Sequence, residues 1–208
     1  MKILLADDHS LFRDGVKQLF THLHTQAQVI EADNGAEVMR LSQTQPDFDL
    51  VLLDIGMPGV DGFSGLASFR KNAPSVPVVI LSGSEDPDDV RSALDGGAAG
   101  FIPKSSSSDV ILSALRLVLS GGIYTPPGLL NGQHTQVTKE QLNSLTPRQR
   151  EVLVLLGHGR SNKEIAKTMG LTEATVKQHV SAILKSLKVS NRMQAVIAGR
   201  RLKLSENT

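Results

Sequence analysis

The sequence contains no cysteine, which excludes disulfide bonds and thiolate metal sites and is typical of a cytoplasmic protein. No apolar run approaches the ~20 residues that a membrane-spanning helix requires. The start of the chain also lacks the basic, apolar and small-residue pattern of a secretory signal peptide. We therefore expect a cytoplasmic protein that has no membrane partner.

The chain of 208 residues is longer than a usual domain of ~100–150 residues, so two domains are expected. Its net charge of +1 conceals a strong asymmetry. Residues 1–120 contain 9 Lys and Arg against 16 Asp and Glu, whereas residues 121–208 contain 13 against 5. An acidic first part and a basic second part indicate two tasks, and the basic part favours a polyanionic partner.

Short apolar runs alternate with segments of helical periodicity through the first part of the chain. Strands are predicted at 3–6, 29–32, 50–53, 77–81 and 101–102, and helices over about 10–23, 35–42, 62–72, 86–95 and 107–119. Strict alternation predicts a parallel sheet that is covered by helices on both faces. The expected fold is therefore α/β, a flavodoxin-like doubly wound sheet of five strands.

Polar residues follow the predicted strands. Asp7 and Asp8 end the first strand, Asp54 the third, Ser82 the fourth and Lys104 the fifth. In a sheet of order 2-1-3-4-5 the first and third strands are neighbours at the switch point, which brings the three carboxylates together. Such a cluster needs a cation, and Mg²⁺ with its preference for carboxylate, water and phosphate oxygens suits it. A phosphoryl group carried by the third-strand carboxylate would then meet a hydroxyl and an ammonium.

Several separated motifs occur in a fixed order: Asp7-Asp8, Asp54 followed by Met57-Pro58-Gly59-Val60-Asp61-Gly62, Ser82, and Phe101-Ile102-Pro103-Lys104. This set resembles the receiver domain of bacterial two-component response regulators over roughly residues 1–120. The resemblance implies that Asp54 accepts a phosphoryl group. It implies that Mg²⁺ is held by Asp7, Asp8, Asp54 and the carbonyl of Gly56, and that the residues sensing the phosphoryl group are Ser82, Phe101 and Lys104.

Two features near these motifs call for separate expectations. Ser105 follows the motif lysine at a position where the receiver family often has proline, so the usual cis-proline is missing there. His9, His22 and His24 have no spacing typical of metal ligands, and we expect them to be surface or helix-capping residues. Each motif residue also has an ordinary explanation when taken alone, such as a helix cap or a turn.

The composition changes after residue 120 to glycine, proline, serine, threonine, glutamine and asparagine, which is typical of an interdomain linker. We predict domains at 1–120 and 145–208, joined by a linker at 121–144. One helical turn over residues 139–142 is possible on the sequence, which does not decide the point.

The second part has the pattern of a helix-turn-helix. Capping boxes at Thr146 and Ser161 begin two helices, Gly170 ends the second, and Thr172 caps a third. The third helix has an apolar stripe formed by Val176, Val180, Ile183, Leu184 and Leu187. A polar and basic face that suits major-groove binding is formed by Lys177, Gln178, Ser181 and Lys185.

Residues 145–204 resemble the LuxR-type DNA-binding domain through Leu145-Thr146-Pro147, Ser161-Asn162-Lys163-Glu164-Ile165-Ala166, Ala174-Thr175-Val176-Lys177 and Val189-Ser190-Asn191-Arg192. The resemblance implies that base edges are contacted by Lys177, Gln178 and Ser181. It implies that Lys163, Thr172, Thr175 and His179 lie near the DNA backbone, and that a fourth helix over about 192–204 can form a dimer contact. Lys188 occupies a position where the family usually has glycine.

The two resemblances together are those of the NarL/FixJ class of response regulators. They imply a phosphorylation-dependent transcriptional regulator that receives its phosphoryl group from a sensor histidine kinase, binds double-stranded DNA and forms a homodimer on activation. Such a protein is not an enzyme beyond its own phosphotransfer and dephosphorylation. Two alternatives stay open: a Mg²⁺-dependent phosphohydrolase with Asp54 as nucleophile, and a DNA-binding protein whose receiver no longer signals.

Overall fold

The structure is a computed structural model that describes residues 1–23, 26–45, 47–59, 63–126, 138–189, 192 and 194–196. The chain divides into two compact units. The first contains strands β1 Lys2–Ala6, β2 Gln28–Ala32, β3 Leu50–Asp54, β4 Val78–Ser82 and β5 Gly100–Pro103. Its helices are α1 Ser10–Leu23, α2 Gly35–Thr44, α3 Ser64–Asn72, α4 Pro87–Asp95 and α5 Ser108–Leu119. The second contains α6 Lys139–Asn143, α7 Pro147–Gly157, α8 Asn162–Met169 and α9 Glu173–Leu187.

The five strands form one parallel sheet of order β2-β1-β3-β4-β5, which confirms the predicted fold and strand order. Alternate residues of each central strand face opposite sides, as the twofold period of a strand requires. On β3, Val51 and Leu53 belong to one core, whereas Leu50 and Leu52 belong to the other. Both faces are therefore buried, which explains why the strands are continuously apolar.

β3 and β4 each end one residue later than the sequence predicts. Asp54 and Ser82 are the last residues of β3 and β4 and pair in the sheet with Leu81 and Pro103. The predicted start of α3 at residue 62 lies outside the described residues, and the described helix begins at Ser64. The two functional side chains are thus attached to the sheet itself, so the sheet fixes their positions.

Both ends of the predicted linker have regular structure. Tyr124 forms a parallel bridge with Gly100, and its carbonyl accepts a hydrogen bond from Phe101 N at 3.0 Å. At the other end α6 begins with a capping box from Thr138, and Leu142 lies in the core of the second unit. The sequence did not decide whether residues 139–142 form a helical turn, and the structure shows that they do. The boundaries of the linker at 121–144 stay a prediction.

The second unit is held by one apolar core that all four of its described helices share. The predicted capping boxes at Thr146 and Ser161 are formed, and Thr172 caps α9 by accepting a hydrogen bond from Thr175 N. Gly170 ends α8 with a left-handed φ of 67°, a conformation that favours glycine. The predicted fourth helix over 192–204 lies mostly outside the described residues, although Arg192 and residues 194–196 are helical.

Lys188 ends α9 in a left-handed conformation with φ 53°, the only non-glycine residue of the described chain with positive φ. Its backbone N–H is within hydrogen-bonding distance of the carbonyls of Leu184 and Lys185. The lysine therefore adopts the backbone geometry for which related sequences use glycine, and its exposed side chain remains on the surface. Within the described residues, no helix is long and apolar enough to span a membrane.

Candidate functional site

The candidate site lies at the carboxyl edge of the sheet, where β1 and β3 are neighbours. Asp7 follows β1 and is completely buried, and Asp54 ends β3 and is nearly so. Lys104 follows β5, and its Nζ lies 2.7 Å from Asp54 Oδ2 and 2.8 Å from Asp7 Oδ2. The structure therefore brings together side chains that are 47 and 50 residues apart in the sequence, as the strand order predicts.

Lys104 neutralises part of the negative charge of this cluster. Burial acts to lower the pKa of its ammonium, but the hydrogen bond to Asp54 and the charge interactions with Asp54 and Asp7 outweigh this effect and raise the pKa. Its Nζ also lies 5.2 Å from the centre of the Phe12 ring, within the range of a cation–π contact. The lysine is thus held as a cation between two buried carboxylates.

The backbone around the cluster fixes both buried carboxylates. Gly56 N donates to Asp54 Oδ1 at 2.8 Å, and His9 N donates to Asp7 Oδ1 at 2.7 Å. The Arg13 guanidinium donates to the Asp7 carbonyl at 2.5 Å while its Nε pairs with Glu31 at 2.9 Å. These contacts leave little rotational freedom to the acidic side chains, which is the preorganisation that a metal or phosphoryl site needs.

The donor set has the chemistry of a divalent-cation site. Asp7, Asp8, His9 and Asp54 each offer one ligand atom, and these atoms all lie within 4.8 Å of one another. Asp7 Oδ2 is completely buried, and its contact with the lysine ammonium is an ion pair without hydrogen-bond geometry. A buried carboxylate oxygen with unused acceptor capacity is suited to a hard cation. The residues that are present therefore fit the Mg²⁺ that the resemblance to receiver domains implies.

Ser82 and Phe101 lie beside the cluster on the two strands that follow β3. The Ser82 hydroxyl is buried and accepts a hydrogen bond from Ser84 N at 3.0 Å, while its carbonyl accepts one from Lys104 N at 2.7 Å. The ring of Phe101 is completely buried in the core that contacts α2, α3 and α4. The serine is thus bonded to both loops that border the cluster.

His9 is the member of the cluster that sequence reasoning missed. Its ring is 67% exposed, as expected for a surface residue, yet Nδ1 lies 2.9 Å from Asp8 Oδ1 and 3.2 Å from Asp7 Oδ1. A spacing rule for metal ligands does not detect it, because Asp54, which completes the cluster, comes from a strand that is distant in the sequence. Its place directly after two acidic residues at a strand end is the signal that could have indicated it.

The second candidate site is the polar face of α9. The apolar stripe is buried as predicted, and Gln178 and Lys185 are exposed, whereas Lys177 and Ser181 are half-buried. The Ser181 hydroxyl donates to the carbonyl of Lys177 at 3.0 Å, so part of its bonding capacity is used within the helix. Together these four residues form the polar face that the sequence predicts.

The residues expected near the DNA backbone surround the start of α9. The hydroxyls of Thr172 and Thr175 are hydrogen-bonded to each other at 2.8 Å, and Thr175 N donates to Thr172 Oγ1 at 3.1 Å. Lys163 is exposed near the start of α8, and His179 is half-buried on α9. The roles of these residues in DNA binding stay a prediction.

Two protein-family models match the chain. The model described as response regulator receiver domain matches residues 3–116, and the model described as bacterial regulatory proteins, luxR family, matches residues 143–198. The first match alone covers more than half of the chain. The two matches lie in the same order as the two units of the fold.

Similar proteins span almost the whole chain. The glycerol metabolism activator of Pseudomonas putida is 40% identical over 207 residues, covering 95% of this chain and 94% of the relative. The nitrate/nitrite response regulator protein NarL of Escherichia coli (strain K12) is 37% identical over 201 residues, covering 94% and 93%. A solved structure of the RcsB response regulator of Salmonella typhimurium has a TM-score of 0.56 at 21% identity, covering 95% and 97%, which shows likeness of fold.

Proposed function

We propose that Asp54 accepts the phosphoryl group in this chain, which belongs to the response regulators that combine a receiver domain with a LuxR-type DNA-binding domain. The chain is thus a phosphorylation-dependent, DNA-binding regulator of transcription. The observation that carries this proposal is the contact of a buried carboxylate at the end of β3 with the Lys104 ammonium at 2.7 Å. A buried carboxylate that is held beside a fixed cation is well placed to act on a phosphorus atom whose oxygens need neutralising.

The residues of the cluster have separate roles in the proposed transfer. An oxygen of Asp54 forms the new bond to phosphorus as the bond between phosphorus and the donor breaks, in line with it. Lys104 neutralises charge on the phosphoryl oxygens, and the Ser82 hydroxyl donates to one of them. Mg²⁺ would be held by Asp7, Asp8, Asp54 and the Gly56 carbonyl. When bound, it would supply positive charge that shields the negative oxygens.

The partners follow from the two units. The phosphoryl donor in this proposal is a sensor histidine kinase, and the output partner is double-stranded DNA, which α9 contacts in the major groove. Lys177, Gln178 and Ser181 face base edges, while Lys163 and Thr172 lie near phosphates. Phosphorylation favours a homodimer that contacts two half-sites. The net charge of +8 of residues 121–208 supports the DNA partner.

Incubation with a small acyl-phosphate donor tests the acceptor. The intact mass of the wild-type chain should rise by one phosphoryl group when Mg²⁺ is present and stay constant when the ion is chelated. Asp54→Asn should abolish the shift, since an amide cannot form the acyl phosphate. Asp8→Ala should reduce it strongly through loss of a metal ligand. A shift that persists in Asp54→Asn would assign the acceptor role to another residue.

The two alternatives give different results when phosphate release is measured beside the intact mass. A phosphohydrolase would release many equivalents of inorganic phosphate per chain from added phosphate esters, whereas an acceptor is modified once and then turns over slowly. A receiver that no longer signals would show no mass shift at all. The intact Asp54–Lys104 pair favours the signalling receiver over this last alternative.

A further inference from the structure

The imidazole of His9 faces the acidic cluster and has no role in the phosphotransfer described above. Its Nδ1 lies 2.9 Å from Asp8 Oδ1, 3.2 Å from Asp7 Oδ1 and 3.3 Å from Lys104 Nζ. A ring nitrogen of His9 also lies within 4.8 Å of a carboxylate oxygen of Asp54. The His9 ring therefore shares a small volume with three carboxylates.

The Lys104 ammonium marks where the pocket stabilises positive charge. Its Nζ contacts Asp54 Oδ2 at 2.7 Å, Asp7 Oδ2 at 2.8 Å and His9 Nδ1 at 3.3 Å. A cation in this pocket is thus surrounded by two carboxylate oxygens and one imidazole nitrogen. The donor set that it meets is a mixture of oxygen and nitrogen.

The main chain holds His9 in place at the start of α1. Its N–H donates to Asp7 Oδ1 at 2.7 Å, and its carbonyl accepts a hydrogen bond from Arg13 N at 3.1 Å. The Cα of His9 is therefore fixed relative to the buried carboxylate. The ring needs only rotations about its own two side-chain bonds to adjust its Nδ1 to an ion.

We propose that His9 is a ligand of the divalent cation in this pocket and gives the pocket a preference for Mn²⁺ over Mg²⁺. The inference rests on the proposed function, because it takes a cation beside Asp54 as given. Mg²⁺ selects oxygen ligands and near-ideal octahedral geometry. Imidazole nitrogen suits first-row transition metals, which it binds as the neutral ring through a lone pair. Nδ1 supplies that lone pair when the ring proton is on Nε2.

Mn²⁺ is the probe, and the full chain is the sample. Electron paramagnetic resonance of free Mn²⁺ gives the affinity, calorimetry gives the affinity for Mg²⁺, and spin-echo modulation reports a directly bonded nitrogen. The wild type should bind Mn²⁺ at least about tenfold more tightly than Mg²⁺ and show nitrogen modulation. His9→Ala should lose the modulation and bind Mn²⁺ roughly tenfold or more weakly, with a change in Mg²⁺ affinity of less than about threefold.

Two further variants make the assignment specific. His22→Ala removes an exposed histidine from α1, the helix that directly follows His9, and should leave all three measurements unchanged. His9→Asp replaces the ring with a carboxylate, so it should abolish the nitrogen modulation and shift the preference toward Mg²⁺. Because the chain has no cysteine, no thiolate competes for the probe.

The results separate the two proposals. Mn²⁺ that binds without nitrogen modulation, or an unchanged ratio of Mn²⁺ to Mg²⁺ affinity in His9→Ala, would overturn the role of His9 and leave it as a residue at the start of α1. The metal site of the proposed function would survive that result. A wild-type chain that binds neither ion would instead remove the metal site, and the role of His9 with it.

Discussion

The Lys104 ammonium balances the negative charge of the two carboxylates that it contacts. A bound dication can supply this positive charge in its place. Lys104→Met removes the ammonium and leaves Asp7 and Asp54 buried beside each other with no counterion. Without added dication, we expect the free energy of unfolding to fall by about 2 kcal/mol. This is less than the roughly 3–5 kcal/mol of stability that is lost when one partner of a fully buried ion pair is removed, because the lysine side chain is 16% exposed.

The measurement is denaturant unfolding with and without Mg²⁺. Added Mg²⁺ should stabilise Lys104→Met more than the wild type, because the ion supplies the missing positive charge. Lys71→Met, which alters an exposed lysine of α3, serves as the control and should change stability by less than about 0.5 kcal/mol. Equal stabilisation of the wild type and Lys104→Met by Mg²⁺ would contradict the charge-balance argument.

Residues of the DNA-binding unit should divide into those that read bases and those that position the protein. Lys177→Ala and Gln178→Ala should each weaken binding to the specific site by about 1–3 kcal/mol and relax its sequence preference. Lys163→Ala should weaken binding to all DNA alike and reduce the salt slope by about one. Titration of specific and random duplexes at several salt concentrations distinguishes the two classes. If Lys177→Ala kept full preference for the specific site, α9 would not be the recognition helix.

At the scale of helices and strands, most of the first unit could be predicted, because burial of parallel strands on both faces produces apolar runs that end sharply. The cluster of Asp7, Asp54 and Lys104 could be predicted for the same reason, since strand order alone brings their positions together. The place of His9 could not, because its ring orientation depends on contacts that sequence spacing does not encode. The pairing of Tyr124 with β5 was also missed, since a single bridge leaves no periodic pattern.

The capping boxes of the second unit allow a prediction for a single helix. Thr146→Ala removes the hydroxyl that accepts a hydrogen bond from Gln149 N at 3.3 Å, and should destabilise the second unit by about 1 kcal/mol. Thr146→Ser keeps the hydroxyl and should lose less than half as much. Amide hydrogen exchange measured on the full chain should show weaker protection in α7 to α9 and unchanged protection in β1 to β5. Equal loss of protection in the sheet would mean that the substitution does not act on α7 alone.

For the whole molecule, the main question is how phosphorylation of one unit changes DNA binding by the other. The first 120 residues have a net charge of −7 and the remainder +8, which favours attraction between the parts and competition with DNA in the unmodified chain. In the proposed function, a negative charge added at Asp54 would be largely neutralised by Lys104 and by the metal, so we expect its effect to come from repacking near Ser82 and Phe101 rather than from long-range repulsion.

This reasoning predicts that the phosphorylated full-length chain binds a two-half-site DNA at least about tenfold more tightly than the unmodified chain, because a dimer gains a second contact at high effective concentration. The fragment 138–208 should bind with the same affinity whether or not the acyl-phosphate donor is present. Asp54→Asn in the full-length chain should stay at the unmodified affinity. Sedimentation of the same samples with and without DNA should show dimers only after modification. Equal affinity of modified and unmodified full-length protein would contradict the coupling and would favour a receiver that does not signal. In that case Asp54 and α9 would each function, but phosphorylation at Asp54 would not change DNA binding by α9.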